Sequence, residues 1–138
     1  MLIRELPAEL AGEAAGLWQR SGLTRPWNDP LADLQRAARG ATSTVLAACD
    51  DQGSLIGTSM VGHDGHRGWV YYLAVATEQQ RHGVGRALMR ASEQWLAERG
   101  VAKLNLMVRR GNEDVLAFYE SLGYKDGEVV VLGRFLDG

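Results

Sequence analysis

The sequence has little of what would mark a secreted, zinc-binding or membrane-spanning protein. Its one cysteine, Cys49, cannot form an internal disulfide, and no Cys/His cluster has zinc-finger spacing. No apolar run approaches the roughly 20 residues that span a bilayer. Met1 leads directly into Leu-Ile-Arg, without the basic and apolar segments of a signal peptide. We therefore expect a cytoplasmic protein with no membrane partner.

An excess of charge of one sign is also lacking. Fifteen Lys and Arg residues stand against 17 Asp and Glu, a net charge of -2. This balance gives no reason to expect nucleic acid or an anionic membrane as a partner. What is present is 46% apolar residues in 138, without repeats or low-complexity tracts, which suits a single domain over residues 1–138.

Hydrophobic periodicity and turn residues predict an alternation of strands and helices. The predicted strands are Leu2–Leu6, Thr44–Cys49, Leu55–Val61, Trp69–Val75, Lys103–Val108 and Val129–Leu136. The predicted helices are Glu9–Ser21, one that starts at Asp29-Pro30 and continues through Ala38, one from about Gly83 to Arg99, and Asn112–Leu122. Because hairpins occur among the interleaved elements, we expect a mixed sheet with helices on both faces.

The segment Gln80–Arg86 precedes the third helix and contains glycines at positions 83 and 85. No Ser, Thr, Asp or Asn stands at the start of this helix to accept from its first backbone N–H groups. Uncovered amides at a helix N-terminus form a natural phosphate site, and Arg81, His82 and Arg86 add donors nearby. A glycine turn capped by water is equally compatible with this spacing.

Two motifs resemble signatures of one enzyme family. Gln80-x-x-Gly83-x-Gly85, after a strand and before a helix, is similar to the acetyl-CoA signature of the GNAT acetyltransferases. Asn112 followed by Ala117-Phe118-Tyr119-Glu120-x-Leu122-Gly123-Tyr124 resembles the second signature of that family. The two together are far more specific than either alone, and the element order extends the resemblance over essentially the whole chain.

A closer resemblance is to the bacterial YpeA-type acetyltransferases, through Arg25–Pro30, Asp64–Gly68 and Tyr71–Leu73. The GNAT resemblance implies an α/β (α+β) fold: a mixed, mostly antiparallel sheet of six to seven strands, with helices on both faces and a splayed central strand pair. The departures are Thr77 where proline is common and Gln80 where arginine is common. A backbone cradle tolerates both, since it depends mainly on the glycines.

The resemblance also implies the co-substrate, acetyl-CoA, and the residues that hold it. These candidates are Leu73, Ala74, Val75, Gln80, Arg81, His82, Gly83, Val84, Gly85, Arg86, Asn112 and Tyr119. Within this set, the backbone N–H near Leu73 would stabilise the oxyanion, and Tyr119 would protonate the leaving thiolate. No metal is required for this reaction.

Alternative interpretations accompany each catalytic candidate. Tyr119 shares a helix face with Val115 and could be a core tyrosine, and Asn112 is also an ordinary N-cap. The general base stays open, since a water chain would also serve. The candidate bases are Glu78, Asp64, His66, Tyr71 and Tyr72.

The acceptor is expected to be an amine-bearing small molecule or protein. Its candidate binding residues are Arg25, Trp27, Asp29, His66 and Tyr71. The alternatives are local: Trp27 packs beside the second helix, Asp29 caps it, Arg25 is solvated, and His66 is a turn residue. Alternation along Trp69–Val75 is expected to send part of its aromatic set into the core.

Two rival functions remain: a non-catalytic domain that binds or senses acetyl-CoA, and a dinucleotide-binding protein. The second is disfavoured, because the two glycines have the wrong spacing for the dinucleotide fingerprint and do not follow the first strand.

The C-terminal strand could pair across a homodimer. The position of Cys49 at the end of a strand favours a small buried residue over a nucleophile.

Overall fold

The computed structural model describes residues 1–137 and divides into two compact units. The first unit, Met1–Met107, contains every strand of the described chain, and the second begins at Val108. The strands are β1 (Leu2–Glu5), β2 (Ser43–Cys49), β3 (Leu55–His63), β4 (Gly68–Val75) and β5 (Leu104–Leu106). The helices are α1 (Ala11–Arg20), α2 (Pro30–Arg39), α3 (Val84–Ala97) and α4 (Glu113–Ser121), with short 3-10 turns at Ala8–Leu10 and Thr77–Gln79.

The strands form one sheet in the order β1-β2-β3-β4-β5. The first three pairings are antiparallel, and the pairing of β4 with β5 is parallel, so the predicted mixed, mostly antiparallel sheet is confirmed. The parallel pairing follows from the connection, because a chain that crosses over through a helix such as α3 returns in the same direction.

Neighbouring residues of β3 show that helices cover both faces of this sheet. The Thr58 hydroxyl accepts from the α1 residue Trp18, whereas the Ser59 hydroxyl bonds to the α3 residue Ser92. Successive side chains of a strand point to opposite faces, so α1 and α3 lie on opposite sides. A cluster of buried residues from α1, α2 and the sheet, including Leu17, Trp18 and Leu34, forms the core on the first side.

The predicted number of six to seven strands is wrong for the described residues, which form five. The segment Val129–Leu136 was predicted as a strand, but it is neither strand nor helix in the structure. Val130 and Leu132 are among its exposed residues. High β-propensity makes a strand only where a neighbouring backbone supplies hydrogen bonds, so residue type alone does not decide whether this segment is a strand.

The second unit contributes α4 and its cap. Asn112 is the N-cap, and its side-chain oxygen accepts from Val115 N at 3.4 Å. Glu113 and Asp114 occupy the first turn, where negative charge stabilises a helix. The cap predicted at Asn112 is therefore confirmed. Within residues 1–137, no helix has the length and apolar character needed to cross a membrane.

Candidate active site

The turn before α3 leaves the start of that helix open. Gly83 is its N-cap residue, in the left-handed conformation at φ 83°, and no side chain caps the helix. The first turn carries no acidic residue, and a Cβ placed on Gly83 would meet nothing within 4 Å. The first i→i−4 hydrogen bond of the helix runs from Ala87 N to Gly83 O at 3.0 Å. The N–H groups of Val84, Gly85 and Arg86 therefore have no acceptor of this kind within the helix.

These features fit a phosphate-bearing ligand. The N-terminus of α3 offers three consecutive backbone N–H groups and the positive end of the helix dipole to an anion. A side chain at position 83 would obstruct the access of that anion to them. Arg81 is held at φ 69°, an unusual backbone conformation for a residue with a Cβ atom. Gln80 donates from Nε2 to Val75 O at 3.3 Å, which links this turn to the end of β4.

The edge of β4 toward β5 opens beside this turn. The two strands pair only over Gly68–Val70 and Leu104–Leu106, and β4 continues through Val75. Leu73, Ala74 and Val75 therefore lie beyond the paired stretch. The GNAT resemblance implies that this strand pair splays, but β5 is the last strand of the described sheet and not a central one.

A β-bulge interrupts β4 at the position of the predicted oxyanion donor. Thr58 pairs with Ala74 and Met60 pairs with Tyr71, so Tyr72 and Leu73 together oppose Ser59. Tyr72 has φ 51°, in the left-handed region. The bulge changes the side-chain alternation, and the aromatic residues Trp69, Tyr71 and Tyr72 all line one cleft.

That cleft has a volume of about 490 Å³ and lies within the first unit. Its lining includes residues of α2, of the ends of β2 and β3, and of β4. Asp33 and Asp64 supply carboxylates, Arg36 a guanidinium, and Met60 an apolar surface. Such a cleft, mostly apolar with a few convergent polar groups, is typical of a small-molecule site.

Asp33 contacts two other side chains of the cleft. Its Oδ2 accepts from the Tyr72 hydroxyl at 3.1 Å, and its Oδ1 lies 3.4 Å from Arg36 Nη1. Burial, together with the charge of Asp33, raises the pKa of Tyr72 to about 12. Burial also raises the pKa of Tyr71. Both phenols are therefore neutral at physiological pH, which makes them poor candidates for the base.

Asp64 lies in the turn after β3. Its Oδ1 accepts from Arg67 N at 2.8 Å and from His66 N at 2.9 Å. These backbone hydrogen bonds lower the pKa of Asp64, so its carboxylate stays ionised. The sequence singled out Asp64 as a candidate base but gave no role to Asp33 or Arg36. Their i,i+3 spacing beside the apolar face of α2 was the available signal.

Of the residues predicted to bind the acceptor, Tyr71 lines the cleft, and the described lining does not include Arg25, Trp27, Asp29 or His66. Arg25 donates from Nη1 to the carbonyl oxygens of Gly22 and Thr24 at 3.0 and 2.9 Å. Trp27 is exposed, and so is His66 in its turn.

Asp29 is the N-cap of α2. Its Oδ1 accepts from Leu31 N at 3.1 Å and from Ala32 N at 3.2 Å. The predicted capping role is therefore confirmed, with Pro30 in the first turn as expected.

Tyr119 belongs to the second unit and is buried. Its ring makes edge contacts with Phe118 and Tyr124, at centroid distances of 5.1 and 5.9 Å. Burial raises its pKa to about 12. The phenol therefore keeps its proton throughout the physiological range, as a general acid must.

Cys49 is buried at the end of β2, in agreement with the structural interpretation of this residue. Within residues 1–137, the structure brings together no group of three or more His, Cys, Asp or Glu side chains that could hold a metal ion.

The chain resembles a known protein family in sequence and several solved structures in fold. A model of the acetyltransferase (GNAT) family matches residues 12–124, which is most of the chain. The chain belongs to the GNAT acetyltransferase family. Solved structures with the same fold include the aminoglycoside N-acetyltransferase AAC(6')-Iy in complex with a CoA-containing bisubstrate analogue. It is 18% identical with a TM-score of 0.84, and the match covers 97% of each chain.

Two further solved structures share this fold. A mutant of the BH1408 protein from Bacillus halodurans is 23% identical, with a TM-score of 0.79 over 99% of this chain and 100% of that one. The aminoglycoside 6'-N-acetyltransferase AAC(6')-IG from Acinetobacter haemolyticus is 18% identical, with a TM-score of 0.80 over 98% of each chain. At these identities the likeness shows the fold.

Proposed function

We propose that this GNAT-family protein transfers the acetyl group of acetyl-CoA to a primary amine. The observation that carries the proposal is the uncapped N-terminus of α3 behind the open turn at Gly83. Membership of the acetyltransferase family supports it. So does the fold shared with AAC(6')-Iy, which has been solved with a bisubstrate analogue containing CoA.

In this proposal the turn and the β4 edge hold the co-substrate. The amides of Arg81–Arg86 would bind the pyrophosphate, with Gln80, Arg81, His82 and Arg86 around it. The free edge at Leu73–Val75 would pair with the amide groups of the pantetheine arm, as an added strand does. Asn112 would add a contact besides its cap, on the strength of the family resemblance.

The reaction would proceed by direct attack in a ternary complex. The acceptor ammonium first loses a proton to solvent, and the neutral amine nitrogen then forms a bond to the thioester carbon. After this bond has formed, the nitrogen releases a second proton to solvent, so that the product is a neutral amide. The Leu73 N–H stabilises the negative charge that develops on the carbonyl oxygen. As the carbon–sulfur bond breaks, Tyr119 gives its proton to the thiolate, which leaves as CoA thiol. The products are an acetylated amine and CoA, and the phenolate recovers a proton from solvent.

The acceptor would bind in the cleft that Asp33 and Asp64 share with Tyr71 and Tyr72. Two carboxylates against one guanidinium, Arg36, favour an ammonium group over an anion. The aromatic rings add cation–π attraction for the same charge. Arg25, Trp27, Asp29 and His66 stay as proposed contacts at the rim for a larger acceptor.

Finer assignments rest on sequence motifs. Arg25–Pro30 and Asp64–Gly68 favour membership of the YpeA-type subgroup. The exposed apolar segment Val129–Leu136 would suit pairing across a homodimer.

Calorimetric titration of acetyl-CoA and NADH into the purified protein tests the proposal. The decisive variant is Gly83→Glu, which places a carboxylate where the phosphate would bind. Its matched control is Gly53→Glu, because Gly53 has nearly the same φ, 82°, and equally open surroundings, but lies in the β2–β3 turn.

Micromolar binding of acetyl-CoA by the wild type and by Gly53→Glu, lost in Gly83→Glu and absent for NADH, would support the proposal. Thiol release with an amine panel would then distinguish an enzyme from a domain that only binds acetyl-CoA. No binding to the folded wild type would contradict the proposal.

A further inference from the structure

The bulge in β4 is a strained element at the centre of the candidate active site. Tyr72 carries a bulky side chain yet adopts φ 51°, a conformation that persists only where the surroundings enforce it. Hydrogen bonds to the carbonyl and to the side chain of Tyr72 hold its backbone in this conformation.

A buried relay from α1 reaches the Tyr72 carbonyl. Trp18 Nε1 donates to Thr58 Oγ1 at 2.7 Å, and Thr58 Oγ1 donates to Tyr72 O at 3.0 Å. Trp18 and Thr58 are both 0% exposed. Since Trp18 can only donate, the Thr58 hydroxyl must accept from the indole, and its single proton is directed to the carbonyl.

The side chain of Tyr72 is held as firmly as its carbonyl. Its ring stacks on Trp18 at a centroid distance of 3.9 Å and an interplanar angle of 8°. Its hydroxyl donates to Asp33 Oδ2 at 3.1 Å. The same tryptophan therefore fixes Tyr72 twice, through the stacked ring and through Thr58.

The direction of the Leu73 N–H follows from this arrangement. The Tyr72 carbonyl and the Leu73 N–H belong to one planar trans peptide group and point in opposite directions. Thr58, on β3, draws the carbonyl toward itself. The Leu73 N–H must then point away from β3, toward the edge of β4 that is unpaired beyond Val70.

We propose that Trp18 and Thr58 are positioning residues for acetyl transfer, because their relay orients the Tyr72–Leu73 peptide group and thus aims the Leu73 N–H at the thioester oxygen. The inference rests on the proposed function, which makes that N–H the oxyanion donor. Neither side chain touches the substrate, and both act through the backbone of the bulge.

The test compares variants that keep or remove one hydrogen bond. Thr58→Val keeps the shape of the side chain but loses the hydroxyl, whereas Thr58→Ser keeps the hydroxyl. Trp18→Phe keeps an apolar ring and loses the N–H. Ser92→Ala is the matched control, because Ser92 is a fully buried hydroxyl that bonds Ser59 at 2.8 Å on the opposite face of the sheet.

The readout is the infrared carbonyl band of bound acetyl-CoA labelled with carbon-13 at the thioester, together with calorimetric Kd values for CoA. This readout needs no acceptor. If the Leu73 N–H of the wild type donates to the thioester oxygen, the carbonyl stretching frequency of acetyl-CoA falls on binding. We expect Thr58→Val and Trp18→Phe to bind CoA within about twofold of the wild type but to lose most of that lowering, while Thr58→Ser and Ser92→Ala retain it.

Once an acceptor is available, the same two variants are expected to lower kcat by about 10- to 100-fold at an unchanged KM for acetyl-CoA. A full carbonyl shift in Thr58→Val or Trp18→Phe would overturn the inference while the proposed function stands. So would a wild type that binds acetyl-CoA without any shift, or a folded Thr58→Ser that binds but has lost it. A wild type that does not bind acetyl-CoA contradicts the proposed function itself and removes the basis of the inference.

Discussion

At the scale of single residues, Tyr119 combines burial with a proton that it does not release at neutral pH. If it is the general acid, Tyr119→Phe should lower kcat by about 100-fold, with little change in the Kd of acetyl-CoA. The measurement is steady-state thiol release with an accepted amine. Tyr124→Phe, which removes the hydroxyl of a neighbouring ring, is the control and should retain wild-type kcat. Equal effects of the two substitutions would assign Tyr119 to packing.

The raised pKa of Tyr119 also predicts how the stability depends on pH. Its value is about 12 in the folded protein, against about 10 in an unfolded chain. Its contribution to stability is complete below pH 10 and is lost as pH rises toward 12, since the unfolded state releases the proton first.

We therefore expect the free energy of unfolding to fall less steeply between pH 10 and 12 in Tyr119→Phe than in the wild type. Urea denaturation at a series of pH values measures this. Tyr72, whose pKa is raised in the same direction, contributes equally to both proteins and cancels in the comparison. Parallel curves would show that Tyr119 is not buried in solution.

At the scale of elements, α2 depends on its N-cap, which is also a proposed rim contact for the acceptor. Asp29→Ala removes the acceptor of two backbone amides and should destabilise the protein by about 0.5–2 kcal/mol, whereas Asp29→Asn keeps a capping oxygen. Chemical denaturation measures this difference. If the carboxylate also attracts an ammonium, Asp29→Asn raises the KM of the acceptor without loss of stability; an unchanged KM leaves Asp29 as a cap alone.

The packing of α3 on β3 gives a second prediction at this scale. A Cβ at Gly57 would lie 2.9 Å from Leu88 Cδ1 and 3.0 Å from Ala74 O, so Gly57→Ala should destabilise the protein by about 1–3 kcal/mol. Gly12 lies in α1 with nothing within 4 Å of the corresponding position. There the same change should stabilise by about 0.5–1 kcal/mol, because alanine favours helix. Denaturant midpoints for the two variants should therefore move in opposite directions.

At the scale of the whole molecule, a ligand that binds only the folded state raises the melting temperature. At 100 times its Kd, acetyl-CoA should add about 2.7 kcal/mol, and a chain of this length should gain roughly 10 °C in Tm. Differential scanning calorimetry measures the shift. Gly83→Glu should show none, Gly53→Glu the full shift, and an equal shift with NADH would contradict a site specific for CoA.

Most of the architecture could be predicted from local patterns. The strands Thr44–Cys49 and Leu55–Val61 and the four helices occur within a few residues of the predicted bounds, because their apolar periodicity, caps and turns all favour the same structure. The segment Val129–Leu136 could not be predicted this way, since its three valines favour a strand but a strand also needs a hydrogen-bonding partner.

By itself, the sequence determined the order of elements, the caps at Asp29 and Asn112, and the uncapped turn before α3, because each depends on residues close together in the chain. Only the tertiary structure decided which groups meet across the sheet. The bulge at Tyr72, its relay from Trp18 through Thr58 and its bond to Asp33 join residues 14 to 54 positions apart. A strained backbone conformation depends on long-range contacts and not on local propensity. No sequence pattern within β4 could therefore predict the left-handed conformation of Tyr72.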